Sequence, residues 1–124
     1  MEMKLNHLNL CVADLSEAIR FFQSLFDFQL IEQKGTAIAV MEDGHGFTLV
    51  LSSMLSGPVE GYRYPKDFHL GFYVDTTTEV DEFHKKLEAF GTASDHGPKM
   101  IRGGYTLYFT ALDNILFEVT CFNI

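Results

Sequence analysis

The segment Asp67-Phe68-His69-Leu70-Gly71-Phe72-Tyr73-Val74 has the alternating pattern of a β-strand, and it repeats the beginning of the chain. A shift of 62 residues places His7, within the segment Lys4–Val12, on His69, and the neighbouring apolar positions coincide as well. Such an internal repeat predicts two copies of one structural module, about residues 1–55 and 63–124, each with a histidine on its first strand.

The composition restricts the class of protein. The chain has 124 residues, 47% of them hydrophobic, which is enough for one folded domain with a substantial core. Its net charge of −8 argues against sequence-independent binding to nucleic acid or to an anionic membrane, because both require a basic face. We find no signal peptide, no long apolar run and no metal-type cysteine spacing, so we expect a cytoplasmic protein with reduced thiols.

Each half is predicted to fold in the order strand, helix and three strands. In the first half, Asp14 is a helix cap before a helix at Leu15–Phe26, and Ser53–Pro65 is the expected connector. In the second half, a helix at Thr78–Phe90 ends at Gly91, and Thr92–Ser94 is a candidate for the sixth strand. The predicted buried side of this second helix consists of Val80, Phe83, Leu87 and Phe90.

Three polar side chains share a position in their strands that indicates a functional site. His7, His69 and Glu118 each lie on the strand face opposite the one predicted to pack under a helix. A single histidine or glutamate in a strand is more often structural. Two histidines at repeat-related positions with a carboxylate on the last strand instead predict a divalent metal site, since this donor set suits Fe, Mn, Ni or Zn.

The chain resembles the vicinal oxygen chelate superfamily over nearly its whole length. This superfamily includes glyoxalase I, extradiol dioxygenases, methylmalonyl-CoA epimerase, and fosfomycin and bleomycin resistance proteins. The resemblance rests on Asn6-His7-Leu8, Asp14-Leu15-Ser16-Glu17-Ala18-Ile19-Arg20-Phe21-Phe22, Phe68-His69-Leu70 and Phe117-Glu118-Val119. It implies an α+β fold of two βαβββ modules, whose curved mixed sheets surround a metal cleft with His7, His69 and Glu118 as ligands.

The fourth ligand position of the superfamily falls on Val50, which cannot bind a metal. This departure disfavours a true glyoxalase I or epimerase and resembles the three-ligand sites of the dioxygenases and fosfomycin enzymes. Five residues are candidate substrate contacts, although Asn9 and Tyr73 could equally just fill the cleft, and the loop near Tyr105 and Arg102 is more often simply solvated. The candidates are Asn9, Val50, Tyr73, Arg102 and Tyr105.

The resemblance leaves two functions open. The first is a metal-dependent enzyme acting on a small oxygenated molecule, either a glyoxalase-type lyase or isomerase or a dioxygenase, with its general base unassigned. The second is a non-catalytic protein that binds a bleomycin-type drug, which the acidic balance would suit. In both cases we expect a homodimer with a small-molecule partner, with the modules paired either within one chain or across two.

Overall fold

The computed structural model describes residues 1–54 and 64–123, so most of the predicted connector Ser53–Pro65 lies outside the described residues. The chain divides into two compact units, Met1–Tyr62 and Arg63–Ile124. In its described residues, each unit contains one strand, one helix and three further strands in that order. The predicted fold class, α+β with two βαβββ modules, is confirmed.

The first unit is a four-stranded mixed sheet with one helix. In its sheet the strand order is β1-β4-β3-β2, with β1 parallel to β4 and the other neighbours antiparallel. Its elements are β1 (His7–Val12), α1 (Leu15–Phe26), β2 (Gln29–Lys34), β3 (Ile38–Glu42) and β4 (Thr48–Ser53).

Helix α1 begins and ends where the sequence predicts. The Asp14 carboxylate accepts a hydrogen bond from the backbone N–H of Glu17 at 3.0 Å, which satisfies one of the unpaired donors of the first turn. The helix stops at Asp27, whose backbone is left-handed with φ 57°. Its apolar face is almost completely buried against the sheet and consists of Leu15, Ala18, Ile19, Phe21, Phe22 and Leu25.

The second unit repeats this arrangement. Its strand order is β5-β8-β7-β6, again with one parallel pair, β5 with β8. Its elements are β5 (His69–Tyr73), α2 (Thr77–Phe90), β6 (Lys99–Ile101), β7 (Gly104–Ala111) and β8 (Ile115–Cys121).

The prediction of strand β6 at Thr92–Ser94 is wrong. Ser94 instead lies in the loop after α2, where its hydroxyl contacts Nε2 of His84 at 3.3 Å and accepts from the N–H of Gly97. The sixth strand forms at Lys99–Ile101, because a two-residue turn folds it directly back onto β7.

Helix α2 is capped at both ends but less deeply buried than α1. Thr76 and Glu79 form a reciprocal capping box, and Gly91 ends the helix with φ 101°. Only Val80 and Leu87 are buried, while the predicted core residues Phe83 and Phe90 are half-buried. Within residues 1–54 and 64–123, neither helix has the length and apolar character needed to cross a bilayer.

Candidate metal centre

His69 and Glu118 meet on one face of the second sheet. Strand β5 runs parallel to β8, with His69 opposite Leu116 and Gly71 opposite Glu118. The two side chains approach each other, and Nε2 of His69 lies 3.4 Å from Oε2 of Glu118. The imidazole is 40% exposed and the carboxylate 19% exposed, so a ligand from solvent can reach both.

The hydrogen bond of Nδ1 determines which ring nitrogen of His69 carries the proton. Nδ1 lies 2.9 Å from the backbone carbonyl oxygen of Asp67. A carbonyl oxygen only accepts, so Nδ1 carries the proton and Nε2 of the neutral ring has a lone pair. Two acceptors, Nε2 and the Glu118 carboxylate, therefore face each other, and this arrangement requires a cation between them, either a proton or a metal ion.

Tyr108 is a member of the site that the sequence analysis did not identify. It is the cross-strand partner of Glu118 on β7 and lies on the same face of the sheet. Burial, the nearby Glu118 charge and a hydrogen bond to Glu118 raise the pKa of Tyr108, whereas the charge of Arg102 acts in the opposite direction. The phenol therefore stays neutral and donates to the carboxylate. Alternation along β7 separates Tyr105 from Tyr108 but does not show which of them lies beside Glu118, so the strand pattern alone does not identify Tyr108.

A cavity of about 370 Å³ opens beside this cluster within the second unit. Arg102, predicted as a substrate contact, lines it at the turn between β6 and β7. Its backbone has φ 52°, a conformation that costs a non-glycine residue roughly 1–2 kcal/mol. The lining residues are Asp67, His69, Ile101, Arg102, Tyr108 and Leu116.

The structure places Tyr105, another predicted substrate contact, on the opposite face of β7 from Tyr108. Its cross-strand partner is Cys121, and its hydroxyl donates to Oδ1 of Asp81 on α2 at 2.6 Å. This hydrogen bond is the largest cause that raises the pKa of Tyr105. Tyr105 thus joins a strand to a helix and does not lie beside His69 and Glu118.

Tyr73 lies on the same face as His69 but at the other end of β5. Four residues of extended strand separate the two by about 13 Å. The Tyr73 ring is 54% exposed and stacks on Phe122 at a centroid distance of 5.8 Å, and its hydroxyl accepts from Nδ2 of Asn123. The structure therefore places Tyr73 in a separate aromatic contact.

His7 occupies the equivalent position in the first unit. Its Nδ1 lies 3.1 Å from Oδ1 of Asn6, which likewise leaves Nε2 available. On the same face, Oγ of Ser52 donates to Oδ1 of Asn9 at 2.8 Å. Opposite Asn9 stands the half-buried Val50, as Glu118 stands opposite Gly71, so the strand registers agree with the alignment of Val50 with Glu118.

The structure thus brings two of the three predicted ligands together. His69 and Glu118 are adjacent, and His7 belongs to the other unit. Within the described ranges, no group of three or more His, Cys, Asp or Glu side chains is close enough to hold a metal ion. The pair nevertheless fits a divalent cation in its donor chemistry, since an imidazole with an oriented lone pair and a carboxylate are both ligands of Mn, Fe, Ni and Zn.

Comparisons with known proteins agree with this architecture. The sequence model of the Glyoxalase/Bleomycin resistance protein/Dioxygenase superfamily matches residues 4–119. A possible glyoxalase from Bacillus cereus is 34% identical, with a TM-score of 0.83, and the match covers 97% of this chain and 100% of that one. No curated protein matches the chain.

Two further solved structures are informative. A mutant of the fosfomycin resistance protein FosX from Listeria monocytogenes, complexed with Mn(II) and 1S,2S-dihydroxypropylphosphonic acid, is 26% identical with a TM-score of 0.77. That match covers 97% of this chain and 90% of the other. Lactoylglutathione lyase from Agrobacterium tumefaciens, at 20% identity and a TM-score of 0.76 over 96% of this chain and 93% of that one, shares the fold.

Proposed function

The chain belongs to the Glyoxalase/Bleomycin resistance protein/Dioxygenase superfamily, and we propose that it is a metal-dependent enzyme that acts on a small oxygenated molecule. The proposed ligands are His7, His69 and Glu118, and the proposed metal is Mn, Fe, Ni or Zn. The FosX structure with Mn(II) and a small dihydroxy acid supports this class of cofactor and substrate.

One observation carries the proposal. Nε2 of His69 and Oε2 of Glu118 face each other at 3.4 Å, while Nδ1 of His69 is bound to the Asp67 carbonyl. A structural histidine–glutamate hydrogen bond would need a proton on Nε2, and therefore a charged imidazolium, because Nδ1 already carries one. A divalent cation satisfies the two acceptors without that proton.

The ligand pair, Tyr108 and Gly71 would have separate roles at this site. A divalent ion at this pair would stabilise negative charge that develops on substrate oxygens during the reaction. Tyr108 donates to Glu118 and keeps the carboxylate turned towards His69. Gly71, opposite Glu118, has no side chain, and a Cβ built there meets no atom within 4 Å, so the sheet leaves room for substrate beside the carboxylate.

Two reaction classes fit these groups. One is lyase or isomerase chemistry at a carbon next to an oxygen, and the other is dioxygenation of a catechol-like ring. Neither class has an assigned general base in this chain. Oxygen uptake by the metal-loaded protein in the presence of catechols separates them, because only a dioxygenase consumes O₂.

The metal content of the purified protein tests the proposal. We expect about one Mn(II), Fe(II), Ni(II) or Zn(II) ion per chain, and a loss of binding in His69→Ala, measured by elemental analysis and by titration of the chelator-treated protein. His45→Ala is the matched control, because His45 lies in an exposed turn between β3 and β4. Absence of metal binding in the wild-type chain would refute the enzyme and leave a non-catalytic drug-binding protein as the function to pursue.

We further propose that the protein acts as a cytoplasmic homodimer, in which His7 completes the site either within one chain or from a second copy. Mixing His7→Ala with His69→Ala subunits distinguishes these arrangements. If the ligands come from different chains, each mixed dimer contains one intact site of its two. Because random exchange makes about half of the dimers mixed, about a quarter of the wild-type metal binding returns. If they come from one chain, every site lacks a ligand and no binding returns.

A further inference from the structure

The cavity beside His69 is lined by a positively charged side chain that the proposed metal site does not use. Arg102 lines this cavity together with Tyr108 and His69. Within residues 1–54 and 64–123, Arg102 forms no salt bridge with a carboxylate. Its guanidinium is exposed to solvent and therefore available to a ligand.

The backbone at Arg102 is the second observation. Ile101 pairs with Gly104, and the two residues between them, Arg102 and Gly103, have φ values of 52° and 79°. Two central residues with positive φ are typical of a type I′ turn, in which the first central position favours asparagine, aspartate or glycine. An arginine is unfavourable there, so the turn itself does not explain this residue.

We propose that Arg102 is the anion-recognition residue of the site, so that the substrate carries a carboxylate, phosphonate or phosphate group. This inference rests on the proposed metal-dependent function and specifies its substrate class. The guanidinium provides paired N–H donors that match the oxygens of such a group. The neutral hydroxyl of Tyr108 lines the same cavity, and Ile101 and Leu116 provide apolar walls for a short carbon skeleton.

The charges of the site also favour this substrate class. Two carboxylates, Asp67 and Glu118, lie at or beside the cavity, and they would repel an anion in the absence of a cation. Arg102 supplies one positive charge on the side of the β6–β7 turn. A neutral substrate would gain nothing from this charge, whereas an anionic one would be held at Arg102 with its remaining oxygens free to reach the region of His69 and Glu118.

Calorimetric titration of the Mn(II)-loaded protein tests the inference. The probes are methylphosphonate, inorganic phosphate, acetate and, as a neutral molecule, ethylene glycol. We expect the wild-type protein to bind at least one of the anions more tightly than ethylene glycol, and Arg102→Asn to weaken that binding by about tenfold. The relative affinities of the probes identify which oxyanion the site prefers.

The asparagine variant separates recognition from folding. Because asparagine suits the left-handed backbone of this turn, we expect Arg102→Asn to melt at the same temperature as the wild type or higher, and to bind Mn(II) within about twofold of it. Lys85→Gln, which removes one positive charge from an exposed position on α2, should leave anion binding unchanged.

Two results would overturn the inference: unchanged anion binding in Arg102→Asn, or ethylene glycol binding as tight as that of every anion. A failure of the wild-type protein to bind any of Mn(II), Fe(II), Ni(II) and Zn(II) would instead refute the proposed metal-dependent function. In that case, the same anion titrations of the metal-free wild type and Arg102→Asn still decide whether Arg102 recognises an oxyanion.

Discussion

The two modules pair β4 and β8 with their neighbours in equivalent registers but carry different side chains on the sheet face that points away from the helix. In the first module, Val40 on β3 pairs with Val50 on β4. In the second, the equivalent positions hold Tyr108 and Glu118, a hydrogen-bond donor and a carboxylate. Because the backbone pairing is the same, the side chains alone determine which module offers a complete pair of ligand and supporting donor.

The number of buried helix residues differs in the opposite sense, since the first module has more of them. Helix α1 buries six residues, whereas α2 buries only two. The module without the Glu118–Tyr108 pair therefore has the larger core under its helix, and the module that carries this pair has the smaller one. Duplication of one fold has allowed stability and function to be distributed unequally between the two copies.

Truncation of equivalent phenylalanines tests the inequality of the cores. Phe21 and Phe83 occupy matching helix positions, but Phe21 is 2% exposed and Phe83 is half-buried. We expect Phe21→Ala to cost about 3–5 kcal/mol of unfolding free energy and Phe83→Ala about 2 kcal/mol, measured by urea unfolding. Should Phe21→Ala fail to fold, Phe21→Leu and Phe83→Leu provide the same comparison. Equal costs would show that the helices contribute equally.

Glu118→Val gives the second module the side chain of the first. We expect metal affinity to fall by at least about 100-fold, equivalent to roughly 2.7 kcal/mol, because a ligand is lost. The melting temperature of the metal-free protein should stay the same or rise, since a half-buried carboxylate is removed. Unchanged Mn(II) titration in this variant would exclude Glu118 as a ligand.

Tyr108→Phe removes only the hydroxyl that supports Glu118. We expect metal affinity to fall about tenfold, because a partner that orients a ligand typically has this effect. Tyr105→Phe, on the opposite face, is the matched control and should leave metal affinity unchanged.

The contribution of Tyr105 to the unfolding free energy also depends on pH. The pKa of Tyr105 is raised in the folded protein, so the stability from its hydrogen bond to Asp81 is fully present below pH 10 and is lost as the pH rises through the raised value. The small difference in unfolding free energy between wild type and Tyr105→Phe, less than about 1 kcal/mol, should therefore disappear in strongly alkaline buffer. A difference that grows with pH would contradict this account.

Gly71→Ala tests the open space opposite Glu118. A Cβ at Gly71 meets no atom within 4 Å, and alanine is preferred over glycine in an extended strand. We expect stability to rise by less than about 1 kcal/mol and metal affinity to remain the same, as measured by thermal melting and Mn(II) titration. Loss of metal binding would indicate that the cation lies directly against the backbone of β5.

Much of this architecture is predictable from local signals in the sequence. The Asp14 cap and the apolar spacing define α1 to the residue, and Gly91 marks the end of α2. The repeat that relates His7 to His69 predicts both modules. These signals are local or periodic, and each has a direct physical cause in capping, backbone conformation or alternation.

The missed features depend on tertiary pairing. Strand β6 has only three residues, and its position follows from the turn at Arg102 rather than from its own pattern. On β7, bulky side chains occupy both faces, with Tyr105 on one and Tyr108 on the other, so alternation alone does not reveal which tyrosine accompanies Glu118. The tautomer of His69 depends on a backbone carbonyl, to which the sequence gives no clue.

That carbonyl has a consequence for how the two histidine positions can evolve. The acceptor for His69 belongs to the main chain of residue 67, so any amino acid at that position supplies it. The acceptor for His7 belongs to the side chain of Asn6, and a random substitution there removes it. Among natural variants of this chain, substitutions at position 67 should therefore leave the orientation of His69 unchanged. The orientation of His7 should instead require asparagine or another hydrogen-bond acceptor at position 6.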